Sequence, residues 1–309
     1  MNKKIALIFG GSGQDGSLMC KTLLKKNYIV YAASRGGNFL SHKKISIFSK
    51  TRKVYINYFI KNEISKIINK TNCDEIYYLA GQSSLYKSFE LSRSTILSHT
   101  LPVYNILSCI LEKRKKIKFF NSGSGLIYDS KITKINEKTK LKPNTPYGIA
   151  KLISYMLVKY YREKHNLYAF TGIFFNHESK LRRKEFLIPK ILDYLKYKKY
   201  KYKKLTLGNI NVFKDWGWAE EYMEIVYKLM QKSKPKDIII ATGQSKSIKH
   251  VLNKAFKNKK MNWRKHVKID KNLFRKKENK KVKVDISYLK KILGYQPKIK
   301  IDHILKLMS

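Results

Sequence analysis

Ile5-Ala6-Leu7-Ile8-Phe9 is a short unbroken apolar run, the pattern of a strand buried on both faces, and it leads directly into Gly10-Gly11-Ser12-Gly13-Gln14-Asp15-Gly16. Leu18, Leu23 and Leu24 then recur at helical spacing. The alternation continues along the chain. Further strands are expected over Ile29 to Ala33, Val54 to Tyr58, Ile76 to Leu79, Ile117 to Asn121 and Ala169 to Phe175, with helices around Ile64 to Ile68, from Ser94 through Leu111 and from Tyr147 to Lys164. Strand and helix alternating over the first ~175 residues is the signature of an α/β fold built on a doubly wound parallel sheet, the Rossmann architecture.

Beyond residue 175 the elements are spaced more widely. Helices are expected near Glu220 to Met230, Ile248 to Phe256 and Ser287 to Leu293, with a strand at Ile238 to Ala241. The reading is a dinucleotide-binding domain over 1–175, open to the return of a later strand and helix, and a smaller mixed α/β substrate-binding region over 176–309.

Composition changes one part of this picture. Lys and Arg number 67 against 21 Asp and Glu, a formal net charge of +46. Such a field attracts polyanions, but the lysines are spread along the whole length beside Ile, Asn and Tyr, which reads as a bias of the chain rather than a binding patch. The run from Lys196 to Lys204 interleaves cations with tyrosines. It lies in no nucleic-acid-binding motif and reads as a solvated helix end and loop, so neither a nucleic-acid nor a membrane partner is expected. Cys20, Cys73 and Cys109 form neither a disulfide framework nor a zinc site, and the seven His have no metal-ligand spacing. The first apolar run is too short for a signal peptide, and no segment is expected to approach the ~20 apolar residues of a membrane span. A soluble cytoplasmic protein without a metal is the expectation.

Candidate chemistry lies at the strand ends. Gly10 allows a tight turn, Gly13 a close approach to a pyrophosphate and Gly16 close packing of helix on strand, so the first turn is expected to hold a dinucleotide at a helix N-terminus. The second strand ends at Ser34-Arg35, without the acid that holds a ribose 2′-hydroxyl; an arginine there pairs with a 2′-phosphate and favours NADP. Ala80-Gly81-Gln82-Ser83 and Ser122-Gly123-Ser124 follow two further strands, where ligands of open parallel sheets sit. Tyr147 and Lys151 are four apart and share a helical face. The Lys151 charge favours the phenolate of Tyr147, which then trades a proton with a substrate hydroxyl, with Ser124 polarising the same oxygen.

Further residues give a resemblance. Gly13-Gln14-Asp15-Gly16-Ser17, Asp74-Glu75-Ile76-Tyr77, Gln82-Ser83, Ser88-Phe89-Glu90, Tyr161-Arg162-Glu163, Phe175-Asn176-His177-Glu178-Ser179, Leu207-Gly208-Asn209, Asp215-Trp216-Gly217, Ala241-Thr242-Gly243 and Leu293-Gly294-Tyr295 stand in an order that resembles the extended short-chain dehydrogenase/reductases of nucleotide sugars, and among them the GDP-mannose 4,6-dehydratases. The resemblance implies oxidation of C4 of a GDP-hexose by NADP, removal of the C5 proton by a Glu, loss of the C6 hydroxyl and return of the hydride to C6. It assigns catalysis to Ser124, Tyr147 and Lys151. Cofactor contacts fall to Gly10, Gly13, Gln14, Asp15, Gly16, Arg35, Asn57, Ala80, Gln82, Tyr147, Lys151, Asn176 and His177. Substrate contacts fall to Ser83, Glu90, Ser124, Asn176, Arg182, Lys214, Arg275 and Glu278. A homodimer or homotetramer is implied on the same ground.

The departures from that pattern bear on the reaction. The family's Thr-Ser-Glu reads Ser124-Gly125-Leu126 here, so a leucine occupies the position of the C5 base and cannot take a proton. Asn57 replaces an Asp near the adenine, and Lys214 replaces a phosphate-binding Arg, keeping the charge without the bidentate grip. Three readings follow: a GDP-mannose 4,6-dehydratase, a reductase or epimerase of GDP-sugars that omits elimination, and a catalytically idle nucleotide-binding homologue.

Overall fold

The computed structural model describes residues 3–36, 39–113, 115–197, 203–274 and 282–309. In chain order the elements are β1 (Ile5–Phe9), α1 (Gln14–Lys25), β2 (Ile29–Ser34), α2 (Leu40–Lys44), β3 (Arg52–Tyr55), α3 (Lys61–Thr71), β4 (Glu75–Tyr78), α4 (Lys87–Glu90), α5 (Ser92–Leu111), β5 (Lys118–Ser124), β6 (Lys134–Ile135), α6 (Pro146–His165), β7 (Ala169–Phe174) and β8 (Asn176–Glu178). They continue with α7 (Leu187–Lys196), β9 (Leu205–Leu207), β10 (Phe213–Trp218), α8 (Ala219–Met230), β11 (Ile238–Ile240), β12 (Ser245–Ser247), α9 (Ile248–Lys257), α10 (Trp263–His266), β13 (Val267–Ile269), β14 (Lys283–Val284), α11 (Ser287–Leu293) and α12 (Ile301–Met308). The chain divides into two compact units. The first comprises residues up to Asp129, Lys140–Phe174 and Tyr222–Ile240; the second comprises Ser130–Thr139, Phe175–Glu221 and Ala241–Ser309.

The first unit is a seven-stranded sheet in the order β11-β7-β5-β4-β1-β2-β3, all parallel. It is the doubly wound fold the alternation predicts. The central strands β1, β4 and β7 are buried almost throughout, as strands covered on both faces are. The strand order reverses between β1 and β4, the switch point at which such sheets open a crevice beyond their carboxyl ends. Gly10 stands there with φ +82°, and a Cβ on it would lie 2.7 Å from the Leu79 carbonyl oxygen, so the turn after β1 touches the loop after β4 only because the residue is glycine.

Three sequence expectations need correction. The third strand is Arg52–Tyr55, not Val54 to Tyr58, because its ladder with β2 ends at Ser34 opposite Tyr55. Tyr58 instead turns its buried hydroxyl to donate to Ala33 O at 2.6 Å and accept from Gly10 N at 3.1 Å. The fifth strand runs on through Ser124, since Ser122, Gly123 and Ser124 pair with Gly172, Ile173 and Phe174 of β7. Helix α5 is long and apolar enough to cross a membrane by length and composition, and 61% of its apolar window is buried inside the structure. It is a core helix packed along α6, with Val103, Ile106, Leu107 and Ile110 in the main cluster.

The second unit holds a three-stranded sheet, β12-β10-β8, and two small pairs, β13-β9 and β14-β6. Its core joins Ile188 and Ile191 of α7, Trp216 and Trp218 of β10, Leu252 and Phe256 of α9, and Ile304 and Leu305 of α12. The sequence pattern leaves α7 and α12 unassigned. The Lys196 to Lys204 run begins at the end of α7, and its residues 198–202 lie outside the described residues.

The glycine turn supplies a direct test. A Cβ on Gly16 would stand 2.1 Å from the Gly10 carbonyl oxygen, whereas one on Gly36 meets nothing within 4 Å among the described residues. Gly16→Ala is expected to destabilise the protein by roughly 2–3 kcal/mol in urea denaturation and Gly36→Ala to leave the midpoint unchanged.

Candidate functional site

The site in the first unit is set by how α6 begins. Thr145 caps the helix, its hydroxyl accepting from Gly148 N at 3.0 Å, and Pro146 takes the first helical position, where a missing N–H is harmless. This start places Tyr147 in the first turn and Lys151 one turn on. A Cβ on Gly148 would lie 2.5 Å from the Leu126 carbonyl oxygen, so the helix start rests against the segment after β5. That segment is itself capped: Ser124 Oγ accepts from Leu126 N at 3.2 Å.

Lys151 is buried at 4% exposure. Its ammonium donates to Ser122 O at 2.7 Å and to Ser122 Oγ at 3.3 Å, and lies 5.7 Å from the centre of the Tyr147 ring. Burial pushes its pKa down from 10.5 to about 7, against the opposing pull of the Asp15 carboxylate. Asp15 stands in the first turn of α1 and accepts from Gln14 Nε2 at 2.9 Å. The first turn of one helix thus tunes the lysine of another.

The remaining residues assigned from the sequence fall as follows. Gly13 caps α1 with no side-chain hydrogen bond, which leaves the N–H groups of a twelve-residue helix without a side-chain acceptor from the cap, and its own N–H binds Gly10 O at 3.0 Å. An anion-binding cradle has this form, and the residues fit a dinucleotide pyrophosphate. Arg35 is exposed at the end of β2, its guanidinium 5.3 Å from the centre of the Phe59 ring. Asn57 closes a turn by accepting from Phe59 N at 3.1 Å. Ala80 and Gln82 lie in the loop after β4, and Gln82 Nε2 donates to Ser84 O at 2.7 Å. Ser83 and Glu90 are exposed.

In the second unit, Asn176 and His177 lie on β8, paired with Trp216 and Gly217 of β10, the strand that also carries Lys214. Asn176 Nδ2 donates to Asp215 O at 3.3 Å. Arg182 lies 3.6 Å from the buried Glu178 carboxylate and 3.6 Å from the centre of the Phe186 ring. Arg275 and Glu278 lie outside the described residues.

Sequence reasoning missed two groups. Ser122, assigned above only to a strand end, is the acceptor that holds Lys151. His99 of α5 lies edge-on to Tyr147, with ring centres 5.4 Å apart at 87°. A lone histidine in an apolar helix carries no local signal; only the packing of α5 on α6 exposes it.

Burial of the Lys151 ammonium has a thermodynamic signature. Between pH 7 and 10.5 the unfolded chain keeps a proton at this position that the folded chain has released, so the lysine makes stability rise with pH across that window. Lys151→Met is expected to remove this rise and to stabilise the cofactor-free protein by a few kcal/mol at pH 7. Urea denaturation of both proteins at pH 7 and pH 9 reads the difference.

The chain is similar to known proteins along almost its whole length. Residues 7–308 match the family model described as GDP-mannose 4,6 dehydratase. GDP-mannose 4,6 dehydratase 1 of Arabidopsis thaliana is 33% identical over 320 aligned positions, covering 99% of this chain and 89% of that protein. The Homo sapiens GDP-mannose 4,6 dehydratase is 30% identical over 337 positions, covering 99% and 90%. Among solved structures, a UDP-glucuronic acid 4-epimerase from Bacillus cereus with NAD superposes at TM-score 0.86 with 18% identity, covering 98% of this chain and 97% of that one. A dTDP-glucose 4,6-dehydratase from Bacillus anthracis with NAD superposes at 0.84 with 17% identity, covering 98% and 94%. The solved structures carry the fold, and the relatives carry the dehydratase name, which does not favour the reductase, epimerase or idle readings. This chain belongs to the GDP-mannose 4,6 dehydratase family.

Proposed function

We propose that the protein is a lyase that converts GDP-mannose to its 4-keto-6-deoxy product with NADP as resident cofactor, the first unit binding NADP and the second the GDP-sugar. The observation that carries the reading is the Tyr147–Lys151 pair at the carboxyl end of β5, in a chain matched to the dehydratase family over residues 7–308. NADP, when bound, supplies the two-electron redox chemistry. Tyr147 accepts the proton of the C4 hydroxyl as that carbon is oxidised, and the adjacent ammonium of Lys151 favours the phenolate that does so. Ser124 already accepts a hydrogen bond from Leu126 N, so its O–H remains to donate to the same sugar oxygen. Gly10, Gly13 and Gly16 admit the pyrophosphate. Arg35, with no acid beside it at the end of β2, selects the 2′-phosphate.

Elimination of water requires loss of the C5 proton, and Leu126 supplies no base for it. Loss of a general base costs about 10²–10⁴-fold, so elimination limits turnover here. A homo-oligomer belongs to the same reading. Helix α5 carries one charged residue, Arg93, in a chain with 67 Lys and Arg, and it exposes Leu97, Tyr104 and Leu111 seven residues apart. On α6, which packs against it, Ile149, Ile153, Met156 and Tyr160 form a second exposed stripe. Two apolar stripes with so little charge suit pairing with the same helices of a second copy. The three described cysteines are free and buried, as a reducing cytoplasm would leave them.

Three measurements check these points. Incubation with GDP-mannose and NADP is expected to yield the 4-keto-6-deoxy sugar slowly, and Leu126→Glu to accelerate it by at least tenfold; an unchanged rate would remove position 126 from control of the elimination. Arg35→Ala is expected to weaken NADP binding by about tenfold with little effect on NAD, read by fluorescence titration of the reduced cofactors. Met156→Glu is expected to lower the sedimentation mass to that of a single chain.

A further inference from the structure

The geometry points to His99 as a positioning residue, a neutral imidazole wedged between the loop after β4 and the ring of Tyr147 that fixes the phenol against that loop. The inference rests on the hydride chemistry proposed above and adds a residue that neither the motifs nor the family resemblance assigns.

Its contacts define the role. His99 Nε2 lies 2.8 Å from Gln82 O. A carbonyl only accepts, so Nε2 carries the proton and Nδ1 bears the lone pair. On its other side the imidazole meets Tyr147 edge-to-face. The loop is shaped around the ring: Gly81 has φ +114°, and a Cβ there would lie 2.2 Å from His99 Cε1 and 2.5 Å from Nδ1. Ser98, the preceding residue, ties the same loop by accepting from Gln82 N at 3.3 Å, and its carbonyl accepts from the Tyr78 hydroxyl at 2.6 Å. Two consecutive residues of α5 therefore hold the loop that follows β4, and one of them also touches the catalytic tyrosine.

Stability alone gives no reason for a histidine here. His99 is 2% exposed, and its Nδ1 has no hydrogen-bond partner among the described residues. An unmet buried acceptor costs about 1–3 kcal/mol. On the same helix the buried positions Thr95 and Ser98 are polar and have hydrogen-bond partners, while Pro102, Val103, Ile106, Leu107 and Ile110 are apolar. A leucine would fill the space without that penalty, but it would neither bind Gln82 nor present a ring to Tyr147. The imidazole also has to remain uncharged. Burial and the nearby Lys151 ammonium hold its pKa well below the usual histidine value, so the imidazole adds no positive charge beside the tyrosine.

Two variants separate the two contacts. His99→Phe keeps a ring against Tyr147 and loses the donor to Gln82; His99→Gln keeps a donor and loses the ring. Both are expected to fold and to lower kcat by about 10–100-fold, since a displacement of 1 Å in a catalytic group has about that effect, while KM for GDP-mannose changes less than threefold. His99→Phe is expected in addition to bind NADPH at least fivefold more weakly, because the Gln82 loop is released. Full kcat in both variants would overturn the proposal, as would a loss confined to melting temperature. Histidine ¹⁵N NMR on the wild-type protein is independent of turnover. It is expected to show one imidazole in the Nε2–H form that does not titrate between pH 6 and 8, missing from both variants; titration of that ring near pH 6.5 would overturn the assignment. Absence of product from the wild-type enzyme would count against the dehydratase reading, leaving the NMR and NADPH-binding results to decide on His99.

Discussion

The buried ammonium of Lys151 is the constraint around which the first unit is arranged. A buried charge needs partners, and here they come from separate parts of the chain. The carbonyl and hydroxyl of Ser122 at the end of β5 accept its protons, and the Asp15 carboxylate in the first turn of α1 opposes the effect of burial. The cap at Thr145 fixes the helix that carries it, and Tyr147 stands one turn before it. The Ser122 acceptor requires β5 to continue past the point where its apolar pattern stops. That continuation is made by pairing with β7, and it brings Ser124 to the end of the same strand.

Much of this was legible in the sequence, for stated physical reasons. Strands buried on both faces declare themselves as apolar runs such as Ile5 to Phe9, and the order of strand, glycine turn and helix identified the first crevice. Small errors arose where polar residues continue a strand. Ser122 to Ser124 read as a loop because hydroxyls and glycine favour turns, while the ladder with β7 overrides that preference. Tyr58 read as strand by its aromatic character, while its hydroxyl bonds to Gly10 and Ala33 outside the ladder. The second unit was less legible because its strands are only two to six residues long and its core is assembled from segments distant in sequence, Ile188 beside Phe256 and Ile304.

The site shows the same division. Residues in local motifs, the glycine turn and the Tyr147–Lys151 spacing, could be named from the chain alone. Ser122 and His99 act through contacts 29 and 17 residues away in sequence, to Lys151 and to Gln82, and have no local signature. Leu126 is the opposite case: the sequence located it, and the structure shows that its backbone, rather than its side chain, enters the site's hydrogen bonding by donating to Ser124 Oγ. In the proposed reaction the redox residues Ser124, Tyr147 and Lys151 lie in the first unit, and removal of the C5 proton is the step expected to set the pace.

In the proposed reaction the Tyr147–Lys151 pair takes the hydroxyl proton at C4 of the sugar as the hydride leaves that carbon. Turnover of GDP-mannose deuterated at C4, with the product analysed by NMR, tests it most directly. Deuterium is expected at C6 of the 4-keto-6-deoxy product, whose C4 carbonyl carries no hydrogen; a product with no deuterium at C6, or sugar recovered with its C4 deuterium intact, excludes hydride transfer from C4.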